Sequence, residues 1–332
     1  SVPLMDFGRN QNSVSAAESR VEASRIKVDT AIGGVLYELL KSYSEYKYQN
    51  LRSEILNLKK QELDPLISLQ QERYQNGVVS LVAVQELYLY LVRLEAEIDS
   101  AREKSEGSYA QLQSRYPLTE THLAHLAEIL ERLAGVVIGA DAVALRLSEK
   151  EFNTERESLY FEQSSLEAQY RPEVTLTGST RFYDVDQGAL DRFSAQLGIN
   201  LTFEIFDSGR RSSRLQGIDA RINALESSYR ARKKQADQRV VFLLSEVKDA
   251  QTQLEALEIR QMELDKRLEQ QRIKKELSSS SFDEGIELLT NKYDLLLAQA
   301  EIEQSIRMAK IEYLNESQTL LEHAEFPRFR KD

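Results

Sequence analysis

Two rhythms of apolar positions divide the chain. The first has the helical period and occupies most of it. From Gly8 to Gly77 only the pair Gly33–Gly34 and Pro65 interrupt a stretch of good helix formers, which predicts a helix on the order of 100 Å long. "QNGVV" (75 to 79) reads as a turn. Beyond it Val84, Leu87, Leu91, Leu94, Ile98 and Ala101 follow the three-four spacing that keeps one narrow stripe facing a partner helix. Residues 11 to 116 are therefore expected to form a long antiparallel hairpin. A second hairpin is expected from Gly209 onward, with Leu254, Leu257, Leu264 and Leu268 on one stripe and a break at "SSSSFDEG" (278 to 285). Its return places Leu288, Leu295, Ala298 and Ile302 where the first copy has Val84, Leu91, Leu94 and Ile98, each 204 positions on. The openings "MDFGR" (5 to 9) and "FDSGR" (206 to 210) are only 201 apart, so three extra residues are expected at the second turn. The whole reads as a tandem duplication.

The second rhythm is strict alternation, and it lies between the two copies. In "FSAQLGINLTFEIF" (193 to 206) the odd positions from 193 to 205 are apolar and the even ones from 194 to 204 polar or glycine. "PEVTLTGSTRFY" (172 to 183) alternates as well. Each segment matches the roughly 9 to 11 residues of a tilted membrane-crossing strand. A soluble two-stranded ribbon with one buried face has the same pattern, but two strands are marginal alone and have little to pack on beside such helices. By the duplication, the first copy of this hairpin is expected to begin roughly 30 residues before Ser1, making residues 1–8 the end of a truncated strand.

Composition narrows the classes of function. Only 13 glycines and 5 prolines in 332 residues leave little turn material, in keeping with very long helices. The net charge of -11 and the lack of any basic stripe argue against nucleic acid as a partner. No cysteine is present, which removes disulfides, thiolate metal sites and thiol catalysis together. No apolar run reaches the roughly 20 residues of a membrane-spanning helix, a test that says nothing about a β-barrel.

At the level of motifs the chain resembles the TolC-type outer-membrane efflux and secretion channels. The resemblance is carried by "PLMDFGRN" and "FEIFDSGRR", by "RYQNGVVSLVAVQELYLYLVRLEAEI", and by "LEAQYRPEVTLTGS", where a helix ends and a strand begins. It implies a mainly α fold with a β-barrel part: tandem helical hairpins forming a tunnel, and strands contributing to a barrel shared by a homotrimer. Implied domains are residues 1–8, a strand end; 9–116, a first periplasmic hairpin; 117–171, equatorial connecting helices; 172–206, a transmembrane hairpin; 207–325, a second periplasmic hairpin; and 326–332, a tail. The implied role is a passive export duct through the outer membrane, with most of the chain in the periplasm. Implied partners are outer-membrane lipid, a periplasmic adaptor (membrane fusion protein), and an inner-membrane pump or ABC transporter.

Candidate residues follow from both readings. Asp6 and Asp207 are placed to cap helix N–H groups, and Gly8 and Gly209 to take backbone angles that other residues resist, at two strand–helix junctions. Leu197, Ile199, Leu201 and Phe203 are the expected lipid-facing set. The resemblance makes Asn76, Gly77, Val78, Val79 and Ser80 an adaptor-docking tip. It makes Asp283, Glu284 and Glu287 an acidic pore aperture, with Arg272, Lys274 and Lys275 as compensating cations. No enzyme is expected: "DFG" lacks the phosphate loop and catalytic loop of a kinase, "GVVIG" (135 to 139) lacks dinucleotide-binding spacing, and no nucleophile–base set stands out. His122 and His125 lie three apart on a helix face without a supporting carboxylate–histidine motif, so neither a metal site nor any cofactor is expected. The alternative is a soluble coiled-coil adaptor or scaffold, which must bury the apolar strand face against protein.

Overall fold

The structure is a computed structural model that describes residues 2–139, 146–182, 193–276 and 282–325. In chain order the elements are β1 (Val2–Met5), α1 (Arg9–Gln75), α2 (Leu81–Arg115), α3 (Glu120–Ala134), α4 (Arg146–Gln169), β2 (Glu173–Phe182), β3 (Phe193–Thr202), α5 (Arg210–Glu276), α6 (Phe282–Glu316) and α7 (Leu320–His323). They divide between two compact units. One comprises Ser1–Ala31, Ala144–Gln235 and Phe329–Asp332, the other Ile32–Val143 and Ala236–Arg328.

The duplication is visible in the helix lengths: α1 and α5 have 67 residues each, α2 and α6 have 35 each. Pro65 lies within α1 without ending it. The expected three-residue insertion is absent. Five residues separate α1 from α2 (76–80) and five separate α5 from α6 (277–281), so the helix boundaries keep the 201-residue offset throughout. The apolar seam, and not the chain, slides by three positions on α6, and a helix tolerates this because three residues make nearly one turn.

In the first unit β1, β2 and β3 form an antiparallel sheet in that order. The register pairs like with like. Val174 faces Leu201, Leu176 faces Ile199 and Gly178 faces Leu197, while Thr175 faces Asn200 and Ser179 faces Gln196. β1 extends the apolar rows with Val2 opposite Leu176 and Met5 opposite Val174, across a bulge between Pro3 and Met5. Side chains alternate across a strand, so this register gives the sheet one face that is apolar apart from Thr180 and one polar face. Below the sheet α4 packs on α5 through Leu159, Ile218 and Ile222. Ser158 Oγ donates to the Ala16 carbonyl at 3.1 Å, and Lys150 and Glu22 pair at 3.0 Å, fastening α4 to α1.

In the second unit two apolar clusters hold the hairpins. One gathers Leu40 of α1, Leu112 of α2, Ile129 and Leu133 of α3, Val240 and Leu243 of α5, and Ile311 and Tyr313 of α6. The other joins Leu56 and Leu63 of α1 to Leu94 and Ala101 of α2 and to Leu289 and Tyr293 of α6. Of the seam read from the sequence, Val84, Leu87, Leu94, Ile98 and Ala101 are buried, and Leu91 is partly buried against the second cluster. Lys60–Glu95 at 2.6 Å and Tyr88–Gln71 at 3.2 Å fix the antiparallel course of α1 and α2.

Candidate functional site

Each copy turns from extended chain into helix by the same local geometry. Phe7 (φ +51°) with Gly8 (φ +82°), and Ser208 (φ +53°) with Gly209 (φ +82°), put two successive residues in the left-handed region, as a type I′ turn requires. The turns close with Arg9 N–H on the Asp6 carbonyl and Arg210 N–H on the Asp207 carbonyl, both at 3.1 Å. The aspartate side chains then take the orphan helix donors. Asp6 accepts from Gly8 N–H at 3.0 Å and Asn10 N–H at 3.2 Å; Asp207 accepts from Gly209 N–H at 3.0 Å and Arg211 N–H at 2.6 Å. The Arg211 N–H, chiefly, and the Gly209 N–H hold the Asp207 carboxyl below its ordinary range.

Two features of the junction have no signal in the sequence. Arg9 pairs with Glu173 at the start of β2 at 3.0 Å, and Arg210 pairs with Glu204 just beyond β3, so the arginine of each motif ties the first helical turn back to the sheet. Phe7 and Ser208 also share the positive φ that motif reading assigns to glycine alone.

The expected lipid-facing residues are exposed: Leu197 79%, Ile199 70%, Leu201 69% and Phe203 51%. Among the described residues nothing in the chain covers them. A scaffold that buried this face against its own helices would show them covered.

The first tip is a Schellman cap. Gly77, at φ +74°, donates to the Tyr74 carbonyl at 2.9 Å, and Val78 N–H donates to the Arg73 carbonyl at 2.8 Å. Ser80 caps α2 by accepting from Ala83 N–H at 3.3 Å. This geometry exposes Val78, Leu81 and Val82 together. Leu81 and Val82 lie outside the tip read from the sequence, because their helical spacing resembles that of core positions.

At the second tip Glu284 and Glu287 are exposed at the start of α6. They line a cavity of about 570 Å³ between α5 and α6, together with Arg260, Arg267 and the leucines 264 and 288. The cations that share this space are Arg260 and Arg267. The side chains of Asp283, Arg272, Lys274 and Lys275 lie outside the described residues. His122 is a capping residue: its Nδ1 accepts from Thr119 N–H at 3.2 Å while Thr119 Oγ1 accepts from His122 N–H. His125 sits 3.6 Å from Glu128, and no group of three or more potential metal ligands occurs among the described residues. No described helix is long and apolar enough to cross a membrane.

The chain thus joins an amphipathic three-stranded sheet to duplicated 67-residue helices. The outer membrane efflux protein family matches residues 1–114 and 162–320, and the chain belongs to it. Similar solved structures include a membrane protein from Pseudomonas aeruginosa, with TM-score 0.74 and 15% identity over 95% of this chain and 72% of that one. The outer membrane protein VceC of Vibrio cholerae has TM-score 0.73 and 15% identity over 94% and 76%. The outer membrane channel MtrE of Neisseria gonorrhoeae, in its open state, has TM-score 0.69 and 15% identity over 95% and 73%. At these identities the structural likeness speaks for the fold. No curated protein sequence matches the chain. Family membership makes this an outer-membrane protein with a periplasmic helical tunnel, acting as the channel component in efflux, and places it in a channel family and not in an enzyme class.

Proposed function

We propose that the chain acts as one third of a homotrimeric passive duct, with residues 172–206 in the outer membrane and the hairpins 9–116 and 207–325 in the periplasm. In this reading residues 117–171 connect the copies and 326–332 form a tail. The observation that carries it is the register of the sheet, which sorts Val174, Leu176, Leu197, Ile199 and Leu201 onto one face at the end of two helices too polar for lipid. A surface of that kind suits hydrocarbon on one side and a wet lumen on the other. The turn at 76–80, with exposed Val78, Leu81 and Val82, offers an apolar knob to a periplasmic adaptor joined to an inner-membrane pump or ABC transporter. Glu284 and Glu287, with Asp283, are assigned to the aperture, where three-fold repetition would concentrate carboxylates and draw in cations.

The test is single-channel recording on the protein expressed from its complete gene. The reading predicts conductance through a trimer, and a loss of cation block when Asp283, Glu284 and Glu287 are replaced together by alanine. Unaltered block in that variant would remove the acids from the aperture. Absence of conductance from correctly folded trimers would remove the duct.

A further inference from the structure

The strand–helix junction carries four guanidinium groups and four carboxylates, and their partners are unequal. Asp6 and Asp207 are occupied by backbone N–H groups, and Glu173 and Glu204 by Arg9 and Arg210. That leaves Arg171 and Arg211, both exposed, without an acidic partner among the described residues. Each instead lies over an aromatic ring: Arg171 over Phe7 at 5.3 Å and Arg211 over Tyr170 at 5.2 Å from the ring centroid. Tyr170 is itself buried and precedes Arg171 directly, so its ring is a fixed platform. A guanidinium held against a ring keeps N–H groups that can grip a phosphate with two parallel hydrogen bonds. Met5 at the end of β1, and Phe203 and Phe206 in the stretch between β3 and α5, are exposed apolar residues of the same junction.

We propose that Arg171 and Arg211 each bind a headgroup phosphate of anionic phospholipid in the periplasmic leaflet, pinning the junction at the depth of the membrane surface. Cationic side chains beside an apolar band favour anionic headgroups by electrostatic attraction. This inference rests on the reading that the apolar strand face contacts lipid.

The experiment uses the protein expressed from its complete gene, held in nanodiscs of mixed phosphatidylglycerol and phosphatidylethanolamine, with retained lipid counted by native mass spectrometry. The expected preference for phosphatidylglycerol is on the order of tenfold, with near-equal retention in the Arg171→Gln/Arg211→Gln variant. Arg9→Gln, which removes an internally paired arginine, should keep the preference. The Arg171→Lys/Arg211→Lys variant keeps the charge and loses the guanidinium fork, and its preference should fall below that of the natural protein. An unchanged preference in either double variant, an equal loss in Arg9→Gln, or no preference to begin with would overturn the proposal. A nitroxide at residue 199 in the same discs separates the two readings. Lipid exposure there without an arginine-dependent preference overturns this site alone, whereas no lipid exposure overturns the membrane placement of the strands and this site with it.

Discussion

At Gly209 the backbone sits at φ +82°, and a Cβ added there would meet nothing within 4 Å. Any cost of Gly209→Ala is therefore conformational and not steric, and it should appear as about 1–2 kcal/mol of lost stability in denaturant unfolding. Asp207 has a pH signature. Its carboxyl titrates below the ordinary range, so the cap contributes fully above the unfolded value of about 3.9 and is lost as pH falls through the lower folded value. Asp207→Ala should accordingly lower stability at neutral pH and flatten its decline below about pH 4. Both residues were legible, because a short polar side chain followed two positions later by glycine is a turn-and-cap signal at any scale of fold. Their companions were not. Arg9 and Glu173 stand 164 positions apart, and no local pattern in the sequence brings them together.

Strands and hairpins were the readable elements, since periods of 2 and 3.5 are distinct and each persists here over many residues. The register adds what alternation leaves open, namely that the apolar rows of β1, β2 and β3 coincide. A charge on that face should be costly. Ile199→Arg is expected to destabilise the protein in lipid vesicles by about 2–4 kcal/mol, and Asn200→Arg by less than about 0.5 kcal/mol, measured by guanidinium unfolding. The supposed insertion at the second turn was a misreading with a physical cause. Seam residues mark the face a helix buries, and α6 buries Leu289 and Tyr293 in a cluster with residues of α1 and α2. The seam therefore reports the position of partners, while the helix boundaries keep the chain length of the duplication.

Across the whole molecule, what the sequence leaves out is the contact between copies. Lys59 of α1 is almost fully buried and pairs with Asp294 of α6 at 2.7 Å; Lys292 reaches Glu62 at 3.0 Å, and Ser44 donates to Gln304 at 2.9 Å. Burial opposes the Lys59 charge, yet hydrogen bonds to Asp294 and Tyr90 outweigh it and raise the ammonium pKa. Its stabilising contribution is thus complete at neutral pH and is lost only as pH rises past the ordinary lysine value of about 10.4 and through the raised one. Asp294→Ala would strand that ammonium and should cost about 1–3 kcal/mol, read as a lowered denaturation midpoint of the helical signal. Family membership sets these ties in an outer-membrane efflux channel. The central claim, that one face of the strand pair meets lipid, is tested most directly by a nitroxide scan along residues 195 to 202 in bilayers, read by accessibility to oxygen and to a water-soluble relaxant. The account predicts strict alternation, with 195, 197, 199 and 201 in lipid and 196, 198, 200 and 202 in water. Equal accessibility at neighbouring positions would contradict it.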